Sequence, residues 1–409
     1  MNLRTLLANL GPGPIIAAAF IGPGTVTVCT LAGVDFGFSL LWALGLSIIS
    51  TIILQEISGR IGLVTGKDLS QLLRSQQGHP VFRYFSMILV LTAIGLGNAA
   101  YESGNITGSN LGLQVFWEAP RLVFSGFEVY SGTLFLGALA FTLLLLGNYK
   151  RLERVLVALV IFMSIAFIST AILTHPDWNK ILEGFIPEWN DGNLSTLVAL
   201  IGTTVVPYNL FLYASLAKKR WSGSTEIHWM RRDIVISIVL GGLVSMAIVV
   251  VGATNSGIEI NNALDVSKGL EGTFGRFAKY LMGLGLIAAG LTSSITAPLA
   301  AGLVICGIMG WNQDIRSPSM RVCMGGIVSL GLLFASLGIK PVQLITLAQL
   351  ANGFLLPLVS GWIIWVAGQR SLMGVFKNST AYSILAVAIW LVTFFLGLKS
   401  IMAVLKIGI

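Results

Sequence analysis

The stretch IIAAAFIGPGTVTVCTLAG, Ile15 to Gly33, decides how the chain is read. It is long and apolar enough to belong in a bilayer, yet Gly22-Pro23-Gly24-Thr25 sits in its middle. A proline offers no N–H to the preceding turn and its ring clashes there, so with glycines on both sides the helix should unwind into two halves. A second stretch, LVALIGTTVVPYNLFLYASL from Leu197 to Leu216, carries Val206-Pro207-Tyr208-Asn209 near its centre. Non-helical backbone at membrane depth survives only where protein buries it or where it lines a cavity. Two such interruptions at corresponding places in two halves of a chain point to a transporter's solute site.

Composition agrees. Of 409 residues, 55% are hydrophobic and 10% charged, against about 25% charged in soluble domains, so the chain is an integral membrane protein. Apolar runs of about 20 residues fall near 13–35, 38–60, 84–113, 131–148, 154–174, 194–217, 234–254, 277–309, 321–338, 341–367 and 382–405. Short connections between them predict one membrane transport domain over 1–409, without a soluble domain. The prolines at 12, 14 and 23 interrupt the first run and argue against a cleaved signal peptide.

With the N-terminus inside, the inner connections collect Arg60, Lys67, Arg74 and Arg83, then Lys150, Arg151 and Arg154, then Lys218, Lys219, Arg220, Arg231 and Arg232, and finally Arg316, Arg321, Arg370 and Lys377. These are most of the chain's 25 lysines and arginines, so the positive-inside bias places the N-terminus in the cytoplasm and the C-terminus outside a plasma membrane. The net charge of +8 is thereby explained without nucleic acid. The interrupted spans are the first and the sixth. The predicted fold is therefore all-α and LeuT-type: a 5+5 inverted repeat (spans 1–5 over about 13–174, spans 6–10 over about 194–367) with an eleventh span at 382–405.

Five motifs resemble the NRAMP family of divalent-metal transporters. They are Gly11-Pro12-Gly13, AGVDFGFSLLW from Ala32, ILQEISGRIGLVTGKDL from Ile53, GLIAAGLTSSITAPLAAG from Gly285 and AQLANGFLLPL from Ala348, in the family's order along nearly the whole chain. The resemblance implies a transporter rather than an enzyme, with no cofactor. It also implies backbone-carbonyl ligands at Ala19 and Thr203 and a side-chain ligand at Gln349. At the breaks the family carries Asp-Pro-Gly-Asn and Met-Pro-His. The matching positions here hold Gly22, Thr25, Val206 and Tyr208, so the carboxylate, amide, thioether and imidazole are all replaced. The family's acidic pair on the third span matches Glu102 and Asn105, which the resemblance makes the coupling positions.

The residues themselves leave three readings open. A site without carboxylate or thioether is poor for Mn²⁺ or Fe²⁺, because one lost charge at about 4 Å and an effective dielectric near 20 is about 4 kcal/mol. A hard divalent cation that keeps its waters is less demanding, and Thr25, Tyr208, Asn209, Gln349 and freed carbonyls suit it. Alternatively, Gly22 and Gly24 let a carboxylate approach the half-helix N-termini, as an amino acid or organic anion would. A receptor or sensor that binds without transport is the third. Glu102, an acid in mid-span, is a functional candidate for proton coupling. Thr292, Ser293, Ser294 and Thr296 are candidates for a Na⁺ site with span 1 carbonyls, against the simpler role of bonding neighbouring backbone. Asp35 and Glu56 read as interfacial. The three histidines, His79, His175 and His228, fall in connections and supply no relay within the membrane.

Overall fold

Proline placement sets the helix pattern. In a computed structural model of the chain, residues 11–75, 80–124, 127–146, 149–188, 192–221, 223–254, 277–337 and 341–404 are described. The first span is two half-helices, α1 (Gly13–Phe20) and α2 (Pro23–Phe36), bent by 60°. Pro23 opens α2, where its missing N–H costs nothing and its fixed φ suits the first turn. Further along come α3 (Leu41–Thr65), the short α4 (Leu69–Ser75), α5 (Pro80–Leu113), α6 (Ser131–Leu145), α7 (Tyr149–Leu173) and the surface helix α8 (Trp178–Glu183). The sixth span is again split, into α9 (Leu194–Thr204) and α10 (Pro207–Arg220), with Pro207 first in α10. Then follow α11 (Ile227–Ala253), α12 (Phe277–Met309), α13 (Pro318–Ser336), α14 (Pro341–Gly368), the short α15 (Arg370–Met373) and α16 (Thr380–Val404).

Each of the eleven predicted stretches falls on a helix or a split pair, with ends shifted by a few residues. Among the described residues, seven helices are long and apolar enough to cross a membrane, or up to nine with bent pairs counted as one. The largest boundary shift is at α11, which starts at Ile227 rather than 234 because Arg231 and Asp233 are held by partners in neighbouring helices. One element was not expected in an all-α reading. Arg121–Phe124 and Phe127–Tyr130 pair as an antiparallel hairpin, β1 and β2, between α5 and α6.

The connections rich in basic residues are tied to one another and form one end of the bundle. Lys218 at the end of α10 bonds Asp68 before α4 at 2.7 Å and Gln71 at 2.7 Å. Lys219 reaches the carbonyl of Gln313 after α12 at 3.1 Å. Arg60 near the end of α3 donates to the Phe376 carbonyl and to Asn378 before α16. Glu56, expected at an interface, is instead buried in this end. It pairs with Arg60 at 3.0 Å and Arg231 at 2.8 Å and accepts from Tyr382 at 2.9 Å. Asp35, by contrast, is exposed as expected. His228 is in the first turn of α11 and exposed, and His175 lies outside the helices; His79 is outside the described residues.

Candidate functional site

The two breaks face each other across a cavity. It is lined by Ala19, Phe20, Gly22, Gly24, Thr25, Tyr101, Asn105, Thr203, Val206, Tyr208 and Ser293, with about 370 Å³ not filled by atoms, interstitial space included. Nine positions named from the sequence meet here: Ala19, Gly22, Gly24, Thr25, Asn105, Thr203, Val206, Tyr208 and Ser293. The part of it open to the centre of a water-sized particle is about 20 Å³, room for about one water, so a hydrated ion or a small solute fits only when the lining moves apart.

Unwinding at Ile21 and Gly22 strips the last carbonyls of α1 of their helical partners. Each of the last three is taken by a hydroxyl. Ser293 of α12 donates to Ala18 at 3.4 Å, Tyr208 of α10 donates to Ala19 at 3.1 Å, and Thr25 of α2 donates to Phe20. Tyr208 thus bridges the two breaks, and its ring meets Tyr101 edge to face at 6.2 Å. At the second break Thr203 donates back to Leu200 at 2.9 Å. The half-helix N-termini at Gly22 and Val206 have no side-chain cap. Gly22 packs closely on α12: a Cβ there would lie 2.7 Å from Ser293 Oγ, so the serine hydroxyl would have to turn away. A hydroxyl both donates and accepts, so Thr25, Tyr208 and Ser293 can rotate from capping a carbonyl to presenting oxygen to a cation. Among the lining side chains are no carboxylate, thioether or imidazole.

Three expected positions stand apart. Glu102 is fully buried but does not line the cavity. On a helix, Tyr101 and Asn105 share a face one turn apart, and Glu102 is rotated about 100° from Tyr101. No hydrogen bond of good geometry reaches either carboxylate oxygen of Glu102, whose neighbouring polar side chains are Ser294 and Asn105. Gly331 of α13 makes room for it: a Cβ there would press on the Glu102 side chain. Asn209 is likewise buried off the cavity. Gln55 of α3 donates to its backbone carbonyl at 3.0 Å, while its side-chain amide nitrogen and oxygen are unpartnered. Gln349 lies in α14, but its side chain is outside the described residues.

Of the α12 hydroxyls, Thr292 and Thr296 bond carbonyls of their own helix, and only Ser293 crosses to α1. Phe20 and Tyr101 were not singled out from the sequence. Phe20 follows from its place beside the break, whereas Tyr101 could be found only through the one-turn spacing to Asn105.

Comparison with known proteins supplies the frame. The family described as "Natural resistance-associated macrophage protein-like" matches residues 13–403. A divalent metal cation transporter MntH of Verminephrobacter eiseniae is 27% identical over 93% of this chain and 86% of its own length. Its counterpart in Levilactobacillus brevis is 26% identical over 98% and 90%. Among solved structures, an Eremococcus coleocola manganese transporter superposes with a TM-score of 0.79 at 20% identity, covering 98% of this chain and 87% of that one. Mhp1, a nucleobase-cation-symport-1 family transporter, superposes with a TM-score of 0.63 at 13% identity, covering 97% and 90%. These likenesses bear out the LeuT-type fold.

Proposed function

The chain belongs to the natural resistance-associated macrophage protein-like family, and from that premise we propose that it moves a hard, partly hydrated divalent cation by alternating access at the cavity between the breaks. The family membership makes it a multi-pass membrane transporter and not an enzyme. The observation that carries the choice of cargo is the donor set: backbone carbonyls, the hydroxyls of Thr25, Tyr208 and Ser293, and the amide of Asn105, without a carboxylate or sulfur. Neutral oxygen donors suit Mg²⁺, which sheds its waters reluctantly and is held through them, better than Mn²⁺ or Fe²⁺. The relatives named for divalent metal cations and manganese support the charge class.

In this reading Ala19, Gly22, Gly24, Thr25, Thr203, Val206, Tyr208 and Gln349 bind the cargo, Asn209 joins them if the break at Pro207 turns it inward, and Glu102 with Asn105 couples transport to a proton or Na⁺. The whole chain acts as one transport domain in the plasma membrane, with the basic end cytoplasmic. A second reading rests on the uncapped N-termini at Gly22 and Val206, which suit the carboxylate of an amino acid or organic acid.

Thermal stabilisation of the purified protein separates the two. Mg²⁺ should raise the unfolding midpoint more than Mn²⁺, and flux of Mg²⁺ into proteoliposomes should accompany it. Stabilisation by an amino acid or organic acid alone would overturn the cation reading. Binding without flux would mark a receptor.

A further inference from the structure

The way from the cavity to the basic end is filled by two half-helices, α1 and α10, both buried along the stretch concerned. They are held differently. α10 is tied along its length: Gln55 donates to Asn209, Ser58 to Leu210, and Tyr213 donates to the Met230 carbonyl, with Lys218 on Asp68. The polar ties of α1, among the described residues, lie only at its two ends. At the cavity end are the hydroxyls on Ala18, Ala19 and Phe20. At the other end is one fully buried carboxylate, Asp233 of α11, which accepts from the backbone N–H of Gly11 at 2.8 Å and of Gly13 at 2.8 Å. The Tyr213 hydroxyl donates to the same carboxylate at 3.1 Å.

The local sequence is shaped to this grip. Pro12 has no N–H, so the N–H groups on either side of it converge on one carboxylate. Neither glycine tolerates a side chain. A Cβ on Gly11 would run into the Trp221 ring, and one on Gly13 would meet Ser237 Oγ and approach Asp233 within 2.8 Å. An eight-residue helix hinged at a broken backbone and gripped at its far end is a lever with a catch. Charge-assisted bonds are about twice as strong as neutral ones, and a buried carboxylate left without its donors is costly. The grip therefore favours one position of α1 sharply.

We propose that Asp233 is the positioning residue that latches α1 shut, and that its release from Gly11 and Gly13 opens the cavity towards the basic end. The latch acts on the backbone of α1 and is independent of which solute the cavity carries.

The test uses the full chain in membrane vesicles, with Cys29, Cys306 and Cys323 replaced by serine and Val206→Cys as the reporter in the cavity. A membrane-impermeant methanethiosulfonate is applied from each side. Asp233→Asn should raise labelling from the basic side at least tenfold and slow it from the opposite side. Gly13→Ala should act in the same direction, and Tyr213→Phe, which leaves both N–H bonds, in the same direction but less. Labelling from the basic side within twofold of the parent, or faster labelling from both sides at once, would overturn the latch, the latter marking general loosening. If Asp233→Asn fails to fold, Gly13→Ala and Tyr213→Phe decide: unchanged labelling in both overturns it.

Discussion

The basic end and the surroundings of Glu102 use the same buried acids in opposite ways. Glu56 has two arginines and a tyrosine, Asp68 has Lys218 and a serine, and Asp233 has two backbone amides and a tyrosine. Glu102, with no exposed surface, has no basic partner among the described residues and no well-formed hydrogen bond, only the neutral side chains of Ser294 and Asn105 beside it. Buried polar groups in native proteins are nearly always satisfied, and the exceptions need a reason. The paired acids hold elements together. Glu102 ties no elements together through charge, which is what leaves it free for the coupling role proposed above.

Substitutions can break that contrast or sharpen it. The largest effect is expected at Glu56→Ala, which strands Arg60 and Arg231 beside Tyr382. Losing one partner of a buried pair costs about 3–5 kcal/mol, seen as loss of monodisperse folded protein or a collapse of the unfolding midpoint. A variant as stable as the parent would make Glu56 a bystander. Next comes Gly331→Ala, where the new methyl presses on Glu102. Overpacking costs about 1–3 kcal/mol, and the proposed coupling should suffer with it, read as stability together with pH-dependent uptake. Thr25→Val keeps the shape but removes a donor from Phe20 and an oxygen from the cavity. The expected cost is about 1 kcal/mol in stability and roughly tenfold in cation affinity by calorimetry. The smallest stability change is expected for Glu102→Gln, within about 1 kcal/mol either way, because the amide keeps the shape and an acceptor oxygen for Ser294 or Asn105. Its signature is functional: uptake that no longer varies with pH. Unaltered pH dependence would remove Glu102 from coupling.

How much of this was legible beforehand depends on how local the signal is. Pro23 and Pro207 act on their own preceding turns, so both breaks and their meeting at one cavity could be read from the chain. The spans were legible because hydropathy is a sum over neighbours. Partners across helices were not. Nothing local to Glu56 says that Arg231 and Tyr382 lie against it, and so a residue near a span end reads as interfacial. Glu102, named for coupling, and Asn209, named for substrate binding, are buried but do not line the cavity, since a rotation of about 100° per residue separates neighbours that sequence treats together. The hairpin at Arg121–Tyr130 was hidden for a related reason: four-residue strands leave too short an alternation to stand out among apolar spans.

The hydroxyls that cap Ala18, Ala19 and Phe20 also bear on the half of the cycle in which nothing is carried. A carrier that delivers its cargo must reorient empty, and bare carbonyls in a dry interior would make that return the slow step. Under the proposed cation reading, Ser293, Tyr208 and Thr25 can take up the carbonyls of Ala18, Ala19 and Phe20 whenever no cation does, so those oxygens need not stand bare. Net accumulation, rather than one-for-one exchange across the bilayer, is the transport mode that such a self-sealing site favours.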